Sequence, residues 1–342
     1  MFTLTRGSRI STPSKAYLVQ DILGSGAFGN VARCKKSGSK EVVALKVMKL
    51  QEDIDSGLRE RAVLELLHFQ GAENHNIIRL LDAFAFKGHY CIELEHLDIS
   101  LYQFILKKGR LSLKEIRPIL HQLASGLAFI KNSGIIHSDL KPENVMMVDH
   151  RNSLQLKIID FGLAHAIWEV LPGAAIQTGW FRAPEVWLGG QYDHAVDLWS
   201  LGCMTVEMLL GKTLFPGNNE ADMMPHIVKT VGFPPDQLLL SGRHTDDYFV
   251  QRTVRGWRVW RLKPSNRNDR KTRTLNSLQD LLLMDQIQEQ PCTPDKRYDS
   301  ELFVDLVTQL LHVDPRARIC AQNLLEHPFI SMSHMKGMFQ TQ

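Results

Sequence analysis

The chain has 342 residues, of which 44% are apolar and 23% charged. That balance excludes a disordered, collagenous or coiled-coil chain, and the length exceeds what one hydrophobic core usually serves, so two lobes are expected. The formal net charge of +3 is too small for a protein held mainly by nucleic-acid phosphates, and no direct nucleic-acid partner is expected. Cys34, Cys91, Cys203, Cys292 and Cys320 are scattered without a C-x-x-C spacing. Neither a zinc site nor a disulfide framework is suggested, and reduced thiols in an intracellular protein are the expectation. The start Met1-Phe2-Thr3 has neither an apolar signal core nor an N-myristoyl glycine, and Phe339-Gln340-Thr341-Gln342 is no prenylation signal. No run of about 18 apolar residues occurs, so no membrane span is expected.

In chain order, Tyr17 to Leu23 is a strand candidate that runs into a glycine cluster. Val31 to Cys34 and Glu41 to Met48 flank the turn Lys36-Ser37-Gly38-Ser39 and predict a hairpin. Ser56 to Phe69, rich in Leu, Glu, Arg and Ala, predicts a helix. Ile77 to Phe86 and His89 to Leu94 predict two more strands. Ile116, Ile119, Leu120, Leu123, Leu127 and Ile130 recur at helical spacing, which predicts an amphipathic helix over 112–132. Asp197 to Leu210 is nearly all apolar and reads as a buried helix, and Leu302 to Leu311 marks another. A β-rich part followed by a helix-rich part predicts an α+β fold of two lobes, with the boundary at Glu95–Leu97.

Gly24-Ser25-Gly26-Ala27-Phe28-Gly29-Asn30-Val31 is a G-x-G-x-x-G-x-V loop. Its glycines let backbone N–H groups approach phosphate oxygens without a Cβ in the way. A dinucleotide-binding fold carries a similar string, and Glu52 and Asp53 follow at a compatible distance. That fold needs a helix after the loop, whereas β-patterned residues follow at Val31 and Val42. The pattern therefore favours a loop folded over a nucleotide by a hairpin.

Val43-Ala44-Leu45-Lys46 places a lysine in an apolar strand, which is costly unless it is paired or binds an anion. Lys46 is expected to contact nucleotide phosphates. Glu60 on the next helix is its preferred partner, with Glu65 and Glu52 as alternatives. The string His137-Ser138-Asp139-Leu140-Lys141-Pro142-Glu143-Asn144 fits H-x-D-x-K-x-x-x-N. Phosphoryl transfer needs an acceptor for the substrate hydroxyl proton, a cation near the γ-phosphate and metal ligands. Asp139, Lys141 and Asn144 supply these in order, and Asp160 of Asp160-Phe161-Gly162 adds a Mg2+ ligand. His137 is expected to pack within the loop. Ala183-Pro184-Glu185 closes the segment that Asp160 opens. Arg318 is the expected buried partner of Glu185, and Asp197 is expected to brace the catalytic-loop backbone.

With these motifs in this order, the chain resembles the eukaryotic protein kinases over about Tyr17 to Ile330. Arg117-Pro118-Ile119-Leu120, His137 to Asp149, Trp260-Arg261-Leu262-Lys263 and His327-Pro328-Phe329 resemble most the homeodomain-interacting protein kinases, in the group of dual-specificity Tyr-regulated kinases. The resemblance implies a bilobal fold with a β-rich small lobe and a mostly helical large lobe. It implies a small lobe over 17–94, a hinge over 95–97 and a large lobe over 98–330 with an insert over 215–302. Residues 1–16 would be an extension and 331–342 a tail. It implies ATP and Mg2+ as cofactors, protein Ser/Thr hydroxyls as acceptors and a monomer in the nucleus or cytoplasm. The implied nucleotide contacts are Gly24, Ser25, Gly26, Ala27, Phe28, Gly29, Val31, Ala44, Lys46, the gatekeeper Leu94 and the hinge residues Glu95 and Leu97. A nucleotide-binding scaffold without activity is the alternative. It predicts loss of Lys46, Asp139, Asn144 or Asp160, and all four are present.

Three positions depart from the pattern. Ser138 stands where most regulated kinases carry an arginine for a loop phosphate, although the resembling family also has a small residue there. Ala175 replaces that family's autophosphorylated tyrosine, and Gly179 replaces the arginine that helps bind it. Acceptor and cation are gone together, so activity without loop tyrosine phosphorylation is expected, with Trp180 and Phe181 packing the loop. Thr178 remains a candidate phosphosite or substrate-loop contact. In the insert, Arg252, Arg255, Arg258, Arg261, Lys263, Arg267, Arg270, Lys271 and Arg273 face one acid, Asp269. The segment 251–273 is a solvated surface, a dock for an acidic partner or a nuclear-import signal.

Overall fold

The computed structural model describes residues 4–25, 29–48, 51–217, 219–255, 257–264, 275–288 and 294–333. A six-stranded antiparallel sheet forms the small lobe, in the order β1 (Arg9–Ser11), β2 (Ala16–Ser25), β3 (Gly29–Lys36), β4 (Val42–Met48), β6 (His89–Glu95) and β5 (Leu80–Phe86). The strand expected from Ile77 begins at Leu80, and Ile77 instead makes an isolated bridge to Ile158. Helix α1 (Gln51–Phe69) begins five residues before the expected Ser56.

Strand β4 is buried on both faces, and its alternation decides the site. Val43, Leu45 and Val47 join a core with Ile10, Tyr17, Val19 and Cys34. Ala44 and Met48 point the other way, against Val63, Leu64 and Leu67 of α1. Lys46 shares that second face. Residues 1–16, expected as an extension, supply β1 and the buried side chains Leu4 and Ile10 to the first core.

The large lobe is helical. It begins with α2 (Leu101–Lys108) and α3 (Leu113–Asn132), followed by short antiparallel pairs. β7 (Ile135–Ile136) pairs with β10 (His165–Ala166), and β8 (Val145–Met147) with β9 (Leu156–Ile158). All six apolar residues of the 112–132 pattern are buried in α3. After α4 (Pro184–Trp187), helix α5 (Ala195–Leu210) is buried along its length. A Cβ on Gly202 would stand 2.8 Å from a methyl carbon of Leu311, so only glycine admits the neighbouring helix this close.

The insert contributes α6 (Glu220–Val231), α7 (Asp236–Ser241), α8 (Thr245–Tyr248), the hairpin β11 (Phe249–Val254) with β12 (Trp257–Leu262), and α9 (Asp280–Gln288). Helices α10 (Pro294–Leu310), α11 (Ala321–Glu326) and α12 (Pro328–Ser331) complete the lobe. Arg318 grips Glu185 in two parallel hydrogen bonds of 2.7 and 3.0 Å, with both side chains fully buried. Among the described residues no helix is long and apolar enough to cross a membrane.

Candidate active site

Strand β4 presents Lys46 to the cleft between the sheet and the large lobe. Its ammonium lies 2.6 Å from Glu60 Oε2 and 2.8 Å from Asp160 Oδ1, so the pairing ties α1 and the large lobe to the sheet. Burial pulls the lysine's pKa down, but the two carboxylates outweigh it and hold Lys46 charged. Burial pushes Asp160 up, yet the Lys46 charge keeps its carboxyl below the ordinary aspartate range. Glu65 turns to the exposed Arg61 instead, and the Glu52 side chain lies outside the described residues. The Phe161 N–H donates to Glu60, and Ser56 Oγ donates to Gly162 O at 3.2 Å.

The glycine loop separates its roles. A Cβ on Gly29 would stand 2.7 Å from Val47 O, so this glycine is demanded by the sheet itself. A side chain at Gly24 would meet nothing within 4 Å, so close packing does not demand this glycine. Gly26, Ala27 and Phe28 lie outside the described residues. Ser25 pairs with Asn30 and Val31 with Lys46 in the sheet register. Ala44 stands opposite Leu94, and Leu94 and Leu97 are buried. The Glu95 carboxylate accepts the Arg79 N–H at 2.7 Å and pairs with Lys157.

The loop from His137 to Asn144 is held from beneath. Asp197 of α5, buried, accepts the N–H groups of His137 at 2.8 Å and Ser138 at 3.0 Å. Burial pushes its pKa up, and these two donors partly offset the penalty. His137 Nε2 lies 3.0 Å from Ile159 O, and its ring meets Phe161 edge-on, so it packs rather than facing the cleft. Ser138 and Asp160 both hold left-handed backbone at φ 68° and 60°, a strain of about 1–3 kcal/mol each that the surrounding bonds impose. Asp139 projects from this brace. Lys141 Nζ lies 2.6 Å from Asp139 Oδ2, and Asn144 Nδ2 donates to Asp139 O at 2.8 Å. Asn144 thereby turns its amide nitrogen inward and keeps its carbonyl oxygen for another group.

The segment from Asp160 to Glu185 closes onto this loop. Phe181 is buried as expected, but Trp180 is half exposed, and its indole N–H donates to Gly217 O at 3.1 Å. The residue that holds the segment is Gln177, which sequence reasoning missed. Its backbone N–H donates to Ser138 O at 2.9 Å, and its buried amide reaches Val196 O, Ser200 Oγ and the Ala183 N–H. Its φ of 63° is left-handed, and nothing in a glutamine's sequence context announces that. Arg182 donates to the carbonyls of Ile176 and Gln177 and stacks on Trp187. Ala175 is exposed, and a Cβ on Gly179 would touch only Trp187, at 3.7 Å.

The arrangement gathers a buried lysine, three carboxylates and an asparagine around one cleft. Residues 17–330 match the family model described as Protein kinase domain. The chain is 35% identical to Homeodomain-interacting protein kinase 1 of Mus musculus over 98% of its own length and 29% of that protein. It is 34% identical to Serine/threonine-protein kinase ppk15 of Schizosaccharomyces pombe, covering 93% of this chain and 62% of that protein. It is 30% identical to Dual specificity protein kinase YAK1 of Saccharomyces cerevisiae over 95% of this chain and 43% of the relative. It thus spans less than a third of the mouse relative's length. With the model matched from Tyr17 to Ile330, the chain belongs to the protein kinase domain family.

Proposed function

We propose that the chain transfers the γ-phosphate of ATP to serine and threonine hydroxyls of proteins, as a domain with lobes over 17–94 and 98–330 joined at 95–97. The observation that carries this reading is the assembled Lys46–Glu60–Asp160 ion triad beside a braced Asp139. Lys46 would hold the α- and β-phosphates. The glycine loop from Gly24 to Gly29 and Val31 would cover them, with Ala44, Leu94 and Leu97 enclosing the base. The Glu95 carboxylate is committed to Arg79 and Lys157, so its contact with the base falls to the main chain. Asp160 and the free carbonyl oxygen of Asn144 are hard oxygen donors, which suit Mg2+. When bound, the ion would neutralise charge on the phosphates. Asp139 would take the hydroxyl proton, while Lys141 would balance charge at the transferred group.

We also propose that activity needs no phosphotyrosine in the loop, because Gln177 and Arg182 bind the segment through neutral and backbone contacts. A further part of the reading is an acidic protein partner at the basic insert. Arg252, Arg255, Arg258 and Arg261 are all exposed on the β11–β12 hairpin, and none of the ion pairs among the described residues involves them. Arg267, Arg270, Lys271, Arg273 and Asp269 lie outside the described residues. The protein would act in the nucleus or cytoplasm. Radiolabelled ATP with casein as acceptor tests the central reading, using enzyme treated with a tyrosine phosphatase and Asp160→Asn and Asp139→Asn as controls. Transfer by the treated parent and none by the controls is expected. Equal signal from parent and controls would sink the enzyme reading, and loss on phosphatase treatment would sink the unphosphorylated one.

A further inference from the structure

His165 and Tyr192 lie outside every motif discussed so far, yet both are buried and in contact. Their rings meet edge-on at 5.8 Å, and Tyr192 Oη lies 3.1 Å from His165 Nε2. The other ring nitrogen, Nδ1, lies 3.0 Å from Leu163 O and 3.3 Å from Ser138 Oγ. A carbonyl only accepts, so Nδ1 carries the proton. Nε2 faces the Tyr192 hydroxyl. The Tyr192 oxygen in turn accepts the Leu171 N–H. A continuous chain of hydrogen bonds runs from Leu171 through Tyr192 and His165 to Leu163 and Ser138.

The ends of this relay matter. His165 pairs in register with Ile136, which directly precedes the catalytic loop. Ser138 joins three elements at once, donating its N–H to Asp197, accepting the Gln177 N–H on its carbonyl and presenting its hydroxyl to His165. The segment after Asp160 is therefore tied to the catalytic loop twice. Its first half is held at Leu171 through Tyr192 and its second half at Gln177. No carboxylate, lysine or arginine belongs to the relay.

We propose that His165 and Tyr192 are positioning residues that hold the segment Leu163–Gln177 in its catalytically competent arrangement by hydrogen bonds. The kinetic consequence rests on the kinase reading, whereas the ordering of the segment does not. Tyr192→Phe in the full chain keeps the ring and removes the oxygen. Amide exchange at Leu171 should speed up about tenfold, and kcat on casein should fall about fivefold to tenfold, the scale of one hydrogen bond. The KM for ATP should stay unchanged, and thermal unfolding should show the variant fully folded at the assay temperature, so that the fall in kcat is not a smaller folded fraction. His165→Gln offers a carbonyl that can reach Tyr192 and should retain most activity. His165→Asn is too short for that reach and should resemble Tyr192→Phe. Unchanged exchange at Leu171 in Tyr192→Phe, or equally faster exchange throughout the large lobe, would overturn the proposal. So would equal behaviour of the two His165 variants. A parent without transferase activity whose Leu171 exchange still responds to Tyr192→Phe would support the relay while the kinase reading failed.

Discussion

The hydroxyl of Thr178 lies 2.7 Å from Asp139 Oδ1, and the Lys141 ammonium touches both, 2.8 Å from the hydroxyl and 2.6 Å from Oδ2. The Thr178 N–H adds a second bond to the same Oδ1, at 3.1 Å. The carboxylate proposed as the proton acceptor is thus aimed by the loop that follows it in sequence. Thr178→Val keeps the shape and removes the hydroxyl. Its kcat should fall about tenfold, since a hydrogen bond to a charged group is worth roughly 1.5–3 kcal/mol. Thr178→Ser should retain most activity. Thr178→Glu would set a second negative charge against Asp139 and should be inactive. Steady-state transfer to casein checks all three, and a fully active Thr178→Val would remove Thr178 from the site.

Gln177 makes a sharper case for the loop. Its amide satisfies Val196 O, Ser200 Oγ and the Ala183 N–H inside the large lobe. Gln177→Leu fits the volume but leaves the buried Ala183 N–H without its acceptor and takes a second donor from Val196 O, the orphaned N–H alone costing about 1–3 kcal/mol. Gln177→Asn tolerates the left-handed backbone but is one methylene short of these partners. Both variants should lose about 2–4 kcal/mol in urea unfolding, the scale of a broken buried network. Transfer activity at temperatures below the transition should fall further than the unfolded fraction explains. Parental stability in both variants would show that the amide does not hold the segment.

The contrast between Gln177 and Lys46 shows what the sequence made legible. Lys46 stood out because an ionisable group in an apolar strand demands a partner, and the strand's period of two places it on the α1 face with Glu60. The two lobes followed from length and the order of β-rich and helix-rich parts, α3 from its periodicity and α5 from its apolar run. Gln177, His165 and Tyr192 were invisible because their roles depend on left-handed backbone and on pairings across the large lobe, which no local pattern encodes. Trp180 misled for a related reason. A large aromatic beside buried Phe181 suggests core, whereas the Trp180 ring stays half exposed and its polar edge donates to Gly217 O. Residues 9–11 looked like an extension because a three-residue edge strand is too short to carry a pattern.

The β11–β12 hairpin gives the acidic-partner reading a geometric form. In the register, Arg252 faces Val259 and Arg261 faces Val250, so both arginines share one side with the exposed Val254 and Trp257. Arg252→Glu with Arg261→Glu should raise KM for an acidic protein acceptor and leave KM for a short neutral peptide unchanged. The difference should shrink in high salt, because the pairs are exposed and screened. Equal effects on both acceptors would assign the hairpin to stability rather than docking.

Glu207 on α5 is buried, and its Oε2 has no hydrogen-bond partner in the structure. Burial first, and then the nearby charge of Glu143, push its carboxyl up to about 7. In the unfolded chain it would titrate near the ordinary glutamate value of about 4.3. Between these two values the folded state holds the extra proton, so stability should fall as pH rises through that window. The loss is complete above the folded value and amounts to a few kcal/mol, roughly 1.4 for each unit of separation. Glu207→Gln removes the ionisation. It should therefore stabilise the protein markedly at pH 8 and little at pH 5 in thermal unfolding. A variant whose gain is the same at both pH values would show that Glu207 ionises at its ordinary value in the folded protein.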